Sequence, residues 1–371
     1  MLSGRVTGAA EMAQAAMVDA GAAVARRVLP PEQAHRAAVL SARAGMLPQQ
    51  QERDDSRLEV KLPCGLVLRN SLGVAAGFDK DCECATAMVN AGFGHTEVGT
   101  ITRESQAGNP KPRVFRAPSH HAIVNRLGFN SSGASAVAPR LKEAYQKRED
   151  GVIGVNVGKN YWVEAEDAAE EYGAVAELLA PFADYLTINI SSPNTPGLRS
   201  LQSRSYVSGV ISTVRDAACS SRGSQHEVPL FVKISPDMDE ESVAEVVFSA
   251  RSSGATGVVV SNTTISRPER FEINENGGLS GPPLFDLSTR ALSVAREHAG
   301  SDMTLIGVGG VSSGKDAYEK ILAGASLVQM YTALVYQGPN AVQRIKRELL
   351  ECIERDGFSS VQDAIGASLS D

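Results

Sequence analysis

From about residue 58 onward, short runs of uninterrupted apolar residues alternate with stretches of helical composition. The runs are Leu72–Ala76, Thr96–Gly99, Ile153–Val157, Tyr185–Ile190, Leu230–Ile234, Gly257–Ser261, Thr304–Val308 and Ser326–Met330. Most are separated by Ala/Glu/Leu-rich segments of helical length, such as Glu164–Leu179 and Glu240–Ser252. Strands apolar on both faces, alternating with helices, predict a parallel sheet covered on both sides. Eight such units in one chain of this length predict an α/β fold of the (β/α)8, or TIM-barrel, type. An open doubly wound sheet is the alternative. No G-x-G-x-x-G follows the first run, which counts against a dinucleotide site of the Rossmann type. Just before the first run, Leu58–Leu68 alternates around Pro63-Cys64-Gly65 and predicts a small hairpin.

The first part of the chain has a different texture. Residues 1–10 are small and polar without period, which predicts disorder. Residues 11–29 are Ala-rich, with Met12, Ala16 and Ala20, then Met17, Val24 and Val28, near helical spacing. Pro30-Pro31 ends that helix, and Pro31 suits the first turn of the next, Glu32–Ala44, with Gly45 as its C-cap. The expected division is therefore a disordered 1–10, a helical pair within 11–48, and a barrel over 58–371. The pair carries Arg26, Arg27, His35, Arg36 and Arg43. It reads either as a cap packed on the barrel or as a lipid-facing element. Two connections, Thr102–Asn130 and Thr263–Gly281, are longer than a plain βα loop and predict walls or lids of a site.

A barrel of this kind places its active site at the C-terminal strand ends. Those ends are Ala75-Ala76-Gly77-Phe78-Asp79-Lys80, Gly99-Thr100, Asn156 with Gly158-Lys159, and Asn189 with Ser192 and Asn194. They continue with Lys233, Ser261-Asn262-Thr263, Gly309-Gly310 and Tyr331-Thr332. The densest is TINISSPNT, Thr187–Thr195, where Pro193 stops a strand among small hydrogen-bonding side chains. Alone it is an ordinary polar turn; its recurrence at other strand ends makes it a site. Lys80 and Lys233 sit in apolar surroundings, and a buried ammonium needs an anionic partner, so an anionic ligand is expected. Gly309-Gly310 with a helix start at Ser312-Ser313-Gly314-Lys315 suits a phosphate.

Composition narrows the function further. The chain has 371 residues, a net charge of −7 and only 5% aromatics, with no basic stripe, so nucleic acid is not an expected partner. Five scattered cysteines and six histidines form no disulfide framework and no metal motif. The longest apolar runs are too short to span a membrane. No Ser-His-Asp set and no paired carboxylates stand at the strand ends. Ser, Asn, Thr and Lys suit binding a flat, amide-rich molecule and moving one proton, with electron chemistry left to a cofactor.

GVAAGFDKD, GFGHTEVGTIT, GNPKPRVFR, NRLGFNSSG, GVNVGKN, NISSPNTPGLRSLQ, VKISPD, SNTTISRP, GGLSGPPL, IGVGGVSSGKDA and AGASLVQMYTAL carry a resemblance. In this order, over most of the chain, they resemble the dihydroorotate dehydrogenases of the membrane-associated, quinone-linked class (class 2). The resemblance implies oxidation of dihydroorotate to orotate in pyrimidine biosynthesis, with FMN as cofactor and a ubiquinone-type quinone as acceptor. It implies FMN contacts from Ala76, Gly77, Phe78, Asp79, Lys80, Thr100, Asn156, Asn189, Lys233, Ser261, Gly281, Gly310, Tyr331 and Thr332. For the substrate it implies Lys80, Asn125, Arg126, Leu127, Gly128, Phe129, Asn189, Asn194, Asn262 and Thr263. Ser192 would be the base that takes a proton from C5 while hydride leaves C6, with Thr195 and a proton path to solvent as helpers. The soluble class uses cysteine there, and no cysteine of this chain is near. His35, Arg116 and Tyr331 would line a quinone tunnel beneath the helical pair. Leu127 stands where some members have an aromatic residue or methionine, and Arg26 where some have an amide. The implied location is peripheral on an inner membrane, mitochondrial favoured on the C-terminal GFSSVQDAIGA and bacterial as the alternative. A non-redox barrel enzyme for a phosphorylated substrate and a soluble class 1 enzyme are the competing readings.

Overall fold

The computed structural model describes residues 16–194, 204–222 and 227–369. Eight parallel strands close into a barrel: β1 (Leu72–Val74), β2 (His95–Ile101), β3 (Val152–Val157), β4 (Tyr185–Asn189), β5 (Leu230–Ile234), β6 (Gly257–Val260), β7 (Thr304–Val308) and β8 (Leu327–Met330). Each pairs with its neighbours in chain order, and β8 pairs with β1. The eight expected apolar runs are these strands. β2 runs further than the expected Thr96–Gly99, because polar Thr100 lies within it, bonded to a neighbouring strand. The helix expected over Glu164–Leu179 starts at Ala168, after turns through the acidic stretch before it, while Glu240–Ser252 is found as expected.

Large and small residues alternate across strands to fill the barrel. The Tyr185 ring occupies the space that a side chain at Gly154 would take, His95 does the same at Gly73, and Phe231 crowds Gly257. Volume-matched layers of this kind make the barrel interior a core rather than a pore. The expected hairpin forms a separate two-stranded sheet, with Val60–Lys61 paired to Val67–Leu68.

The two long connections form one structure. Val114–Ala117 and Ala122–Asn125 from the first, with Gly278–Ser280 from the second, make a three-stranded antiparallel sheet. Residues directly opposite share a face. One face therefore carries Val114, Arg116, Ile123 and Asn125. The other buries Ala117, Ala122, Val124 and Leu279 in a small core of its own.

Two helices precede the barrel: α1 over residues 16–28 and α2, Pro31–Arg43, which starts on its proline. Gly45 takes positive φ just beyond α2. Residues 1–10, expected to be disordered, and Met12 lie outside the described residues. Met17, Val24 and Val28, expected on an apolar stripe, form an exposed row, at 67%, 59% and 73% exposure.

Candidate functional site

A cavity opens at the C-terminal ends of the barrel strands, beneath the three-stranded sheet. Its lining gathers Ala76, Gly77, Lys80, Thr100, Asn125, Leu127, Gly128, Phe129, Asn189, Ser192, Asn194 and Lys233. Ser261, Asn262, Thr263, Gly281, Gly310, Tyr331 and Thr332 also line it. Residues drawn from all parts of the barrel sequence thus converge on one space, as the strand-end argument predicts.

The floor is a chain of oriented amides. Asn189 Nδ2 donates to Thr100 Oγ1 at 3.0 Å and to Asn156 Oδ1 at 3.1 Å, while Thr100 Oγ1 donates to the same Asn156 oxygen at 2.6 Å. Asn262 Nδ2 donates to Asn189 Oδ1 at 3.3 Å and to Ser191 Oγ at 3.1 Å. Asn156 therefore works from beneath the cavity, not in its wall. At the origin of the chain is Glu97, fully buried on β2. Its carboxylate accepts from Asn156 Nδ2 at 2.7 Å, Gln329 Nε2 at 2.9 Å, Tyr185 OH at 3.1 Å and Thr187 Oγ1 at 3.2 Å. All four partners donate to it, so this carboxylate fixes which way Asn156 points, and Asn156 then fixes Asn189. The sequence reading missed Glu97, since one acid in an apolar run carries no motif.

The two lysines stand in different settings. Lys233 is on β5, paired in register with Asn189. Burial lowers its pKa, opposed by the Glu97 charge. Its ammonium has no hydrogen bond among the described residues. Lys80 lies in the loop beyond β1 rather than in the strand. Its Nζ donates to the Gly77 carbonyl at 2.6 Å, and burial holds its pKa down at about 8. Ser192 is buried at the end of β4, and its Oγ accepts the Asn194 N–H at 3.3 Å. Thr195, expected as its helper, lies outside the described residues.

Four further expectations change. The Asp79 carboxylate turns away from the cavity to accept the Glu83 and Cys84 N–H groups at 2.8 Å each. Arg126 also turns away, pairing with Glu275 at 2.6 Å over the Phe115 ring. Phe78 faces the helical pair, edge-on to His35 with ring centroids 5.4 Å apart. The helix start at Ser312–Lys315 is already capped by the protein itself. Asp316 takes the Ser312 N–H at 2.8 Å and Glu348 takes the Gly314 N–H at 2.6 Å. The glycines before it stay in the cavity wall: Gly309 and Gly310 both line it. Gly310 has positive φ, and a Cβ there would stand 2.5 Å from that of Phe285.

A second cavity, of about 570 Å³, lies between the helical pair and the barrel. Gly21, Ala22 and Ala25 of α1 and Ala34, His35 and Ala38 of α2 line it, with Arg26, Phe78 and Arg116. The small residues at helical spacing leave the space open. His35 stacks on Tyr331, with ring centroids 6.1 Å apart. Burial depresses its pKa to about 3, so it is neutral at physiological pH. Arg116 donates to the carbonyls of Arg26 and Leu29, and Arg26 to that of Tyr336. Val114, Ile123 and Tyr331 line both cavities and separate them.

The sequence family described as dihydroorotate dehydrogenase matches residues 57–353. The chain is 43% identical to the dihydroorotate dehydrogenase (quinone) of Xanthobacter autotrophicus, covering 92% of this chain and 97% of that one. It is 46% identical to the mitochondrial dihydroorotate dehydrogenase (quinone) of Mus musculus, covering 92% and 87%. Among solved structures it superposes on the Eimeria tenella enzyme crystallised with ferulenol, with a TM-score of 0.87 and 40% identity over 92% of this chain and 96% of that one.

Proposed function

This chain belongs to the dihydroorotate dehydrogenase family, and from that premise we propose how its residues divide the work. The protein is a flavin-dependent oxidoreductase that oxidises dihydroorotate to orotate with a quinone as electron acceptor, in pyrimidine biosynthesis.

FMN is the flavin the strand-end cavity suits. Lys233 brings a buried ammonium without a hydrogen-bond partner among the described residues, which a flavin able to carry negative charge would satisfy. Gly281 and Gly310, both at positive φ, bring backbone to the cavity where side chains cannot fit, and Gly310 stands at the β7–β8 phosphate position of this fold. Ala76, Gly77, Thr100, Asn189, Ser261, Tyr331 and Thr332 would complete the cradle. A flavin held there would supply the two-electron redox chemistry.

The remaining polar side chains fit dihydroorotate. Lys80 is the cation for its carboxylate, and Asn125, Asn189, Asn194, Asn262 and Thr263 suit its ring amides. Ser192 would be the base that takes the C5 proton, with its own hydroxyl proton passing on towards solvent. The Asn194 N–H on its oxygen stabilises negative charge as the proton leaves.

The second cavity is the route for the acceptor. Its wall is apolar apart from Arg26, His35, Ser41, Arg116 and Tyr331, which suits a quinone ring entering from lipid. Met17, Val24, Val28, Leu40 and Met46 project from the helical pair into solvent and form its membrane-facing side. Apolar contact dominates this docking more than charge does. Arg36 and Arg43 are paired with Glu83, Arg26 is turned inward, His35 is neutral, and only Arg27 among the five lacks a partner within the described residues. No helix among the described residues is long and apolar enough to cross a membrane. This reading favours a peripheral location on the mitochondrial inner membrane, with the bacterial inner membrane as the alternative, since relatives of both kinds resemble the chain.

The convergence of Lys80, four asparagines and Ser192 on one cavity carries this reading. It is tested by mixing the purified protein with dihydroorotate without oxygen and following the flavin absorbance. The parent bleaches. Ser192→Ala should bleach more slowly by about 10²–10⁴-fold, the usual weight of a general base, with orotate affinity unchanged. A variant within threefold of the parent removes Ser192 from this role.

A further inference from the structure

We infer that Lys320, on the helix Gly314–Leu322 outside the cavity, is a positioning residue for the flavin phosphate. It supplies the positive charge behind the Gly309–Gly310 turn. The inference rests on the reading of that turn as a phosphate cradle.

Lys320 is wholly buried, at 0% exposure. Its stem runs under β7, with Cδ 3.1 Å from where a Cβ at Gly307 would stand. Its Nζ donates to Ser288 Oγ at 2.9 Å and Thr289 Oγ1 at 3.0 Å, and lies 4.9 Å from the Phe285 ring centroid. No carboxylate forms an ion pair with it among the described residues. Asp316, Asp286 and Glu319 act on it only at longer range. Burying an ammonium on two hydroxyls and a ring is costly, and burial lowers its pKa to about 7 even against the opposing pull of those three carboxylates. Nothing in the packing of the helix requires that cost, since a leucine or methionine would fill the same space.

The surroundings supply a reason for the charge. Ser288, which accepts from Lys320, has its one hydroxyl proton within reach of the Gly309 carbonyl at 3.1 Å and of the Phe285 carbonyl at 3.0 Å. When that proton is aimed at Gly309, Lys320 is joined to the turn through a single hydroxyl. Phe285, under the Lys320 cation, packs against the place a side chain at Gly310 would need. The usual source of positive potential at such a turn, the N-terminus of the following helix, is taken by Asp316 and Glu348. Among the described residues the lysines lining the cavity itself are Lys80, just after β1 and so beside β8, and Lys233 on β5, and neither hydrogen-bonds to the Gly309–Gly310 turn. A phosphate dianion at Gly309–Gly310 would supply the missing counter-charge for Lys320, and Lys320 would offset that of the phosphate.

Flavins with and without the phosphate separate this role from simple bracing. Purified protein is stripped of flavin and titrated with FMN and with riboflavin, and bound flavin is read by fluorescence quenching. The parent should prefer FMN strongly. Lys320→Met should lower the FMN-to-riboflavin affinity ratio by about 10–100-fold, with riboflavin affinity within threefold of the parent. Ser288→Ala keeps the charge and cuts its link to the turn, so it should lower the ratio by a smaller factor, about threefold to tenfold. Equal weakening of both flavins by Lys320→Met makes Lys320 a general brace and overturns the inference. An unchanged ratio in Ser288→Ala overturns it even if Lys320→Met does not fold. A parent that binds both flavins alike removes the phosphate cradle itself, whereas a parent with strong FMN preference that Lys320→Met retains removes only Lys320.

Discussion

Exchanging Glu97 for glutamine tests whether the floor of the cavity is set by one carboxylate. The change is almost isosteric, but it turns one acceptor oxygen into a donor. Glu97 receives four hydrogen bonds, from Asn156, Gln329, Tyr185 and Thr187. Glutamine can keep its oxygen toward the cluster of three on Oε2. Its amide nitrogen then faces Asn156 Nδ2, donor against donor. If Asn156 flips to relieve this, its new donor meets the Nδ2 of Asn189, and the conflict moves one residue toward the substrate. With one or two buried donors unsatisfied, the expected loss is about 2–4 kcal/mol, or about 3–5 °C in Tm for a chain of this size. Asn156→Asp alone sets two buried carboxylates face to face and should cost at least as much. The double variant, Glu97→Gln with Asn156→Asp, restores a donor facing an acceptor with the net charge unchanged. It should be more stable than the sum of the single losses by about 2 kcal/mol, measured by denaturant unfolding. It should also regain orotate affinity that Glu97→Gln alone loses. Losses that add to within about 0.5 kcal/mol would refute the relay, because independent sites add.

Two further outcomes follow from the lysine at the substrate and from the helical pair. Burial lowers Lys80 from the ordinary lysine value of 10.5 to about 8, so its buried charge costs stability in full below pH 8 and less as pH rises towards 10.5. Orotate needs the charged form, and its Kd should therefore rise about tenfold between pH 7 and pH 9; a Lys80→Met variant with the same slope would remove Lys80 as the carboxylate partner. Deleting residues 1–45 should leave anaerobic flavin reduction by dihydroorotate largely intact and abolish reoxidation by a long-tailed quinone, while a small soluble dye still serves; stopped-flow timing of the two half-reactions decides, and parental turnover of the long-tailed quinone would end the tunnel assignment.

The eight strands were legible because parallel strands buried on both faces must be apolar throughout, and each is followed by a helix of different period. The strand-end rule then located Asn189, Ser192, Asn262 and Lys233 without any contact information. The rule says which end a residue occupies, not which way its side chain turns. Asp79 and Arg126 belong to the right segments but spend their charge on local partners. Glu97 and Lys320 were illegible for the opposite reason. Each is a single charged residue whose role is made by neighbours from distant segments, Gln329 for one and Ser288 for the other. The pairing of the two long connections into one sheet was also hidden, because each contributes strands too short to show a period.

That sheet has a consequence for how the enzyme meets its two partners. Arg116 and Asn125 lie on the same face, with Ile123 between them along one strand pair. Asn125 borders the polar cavity and Arg116 the apolar one. On the proposed assignment the sheet would be a phase boundary a few residues wide, with a water-soluble acid on one side and an oil-soluble oxidant on the other. The two would then never share a doorway, so neither would have to leave before the other arrives. Electrons would cross a partition that the molecules themselves do not.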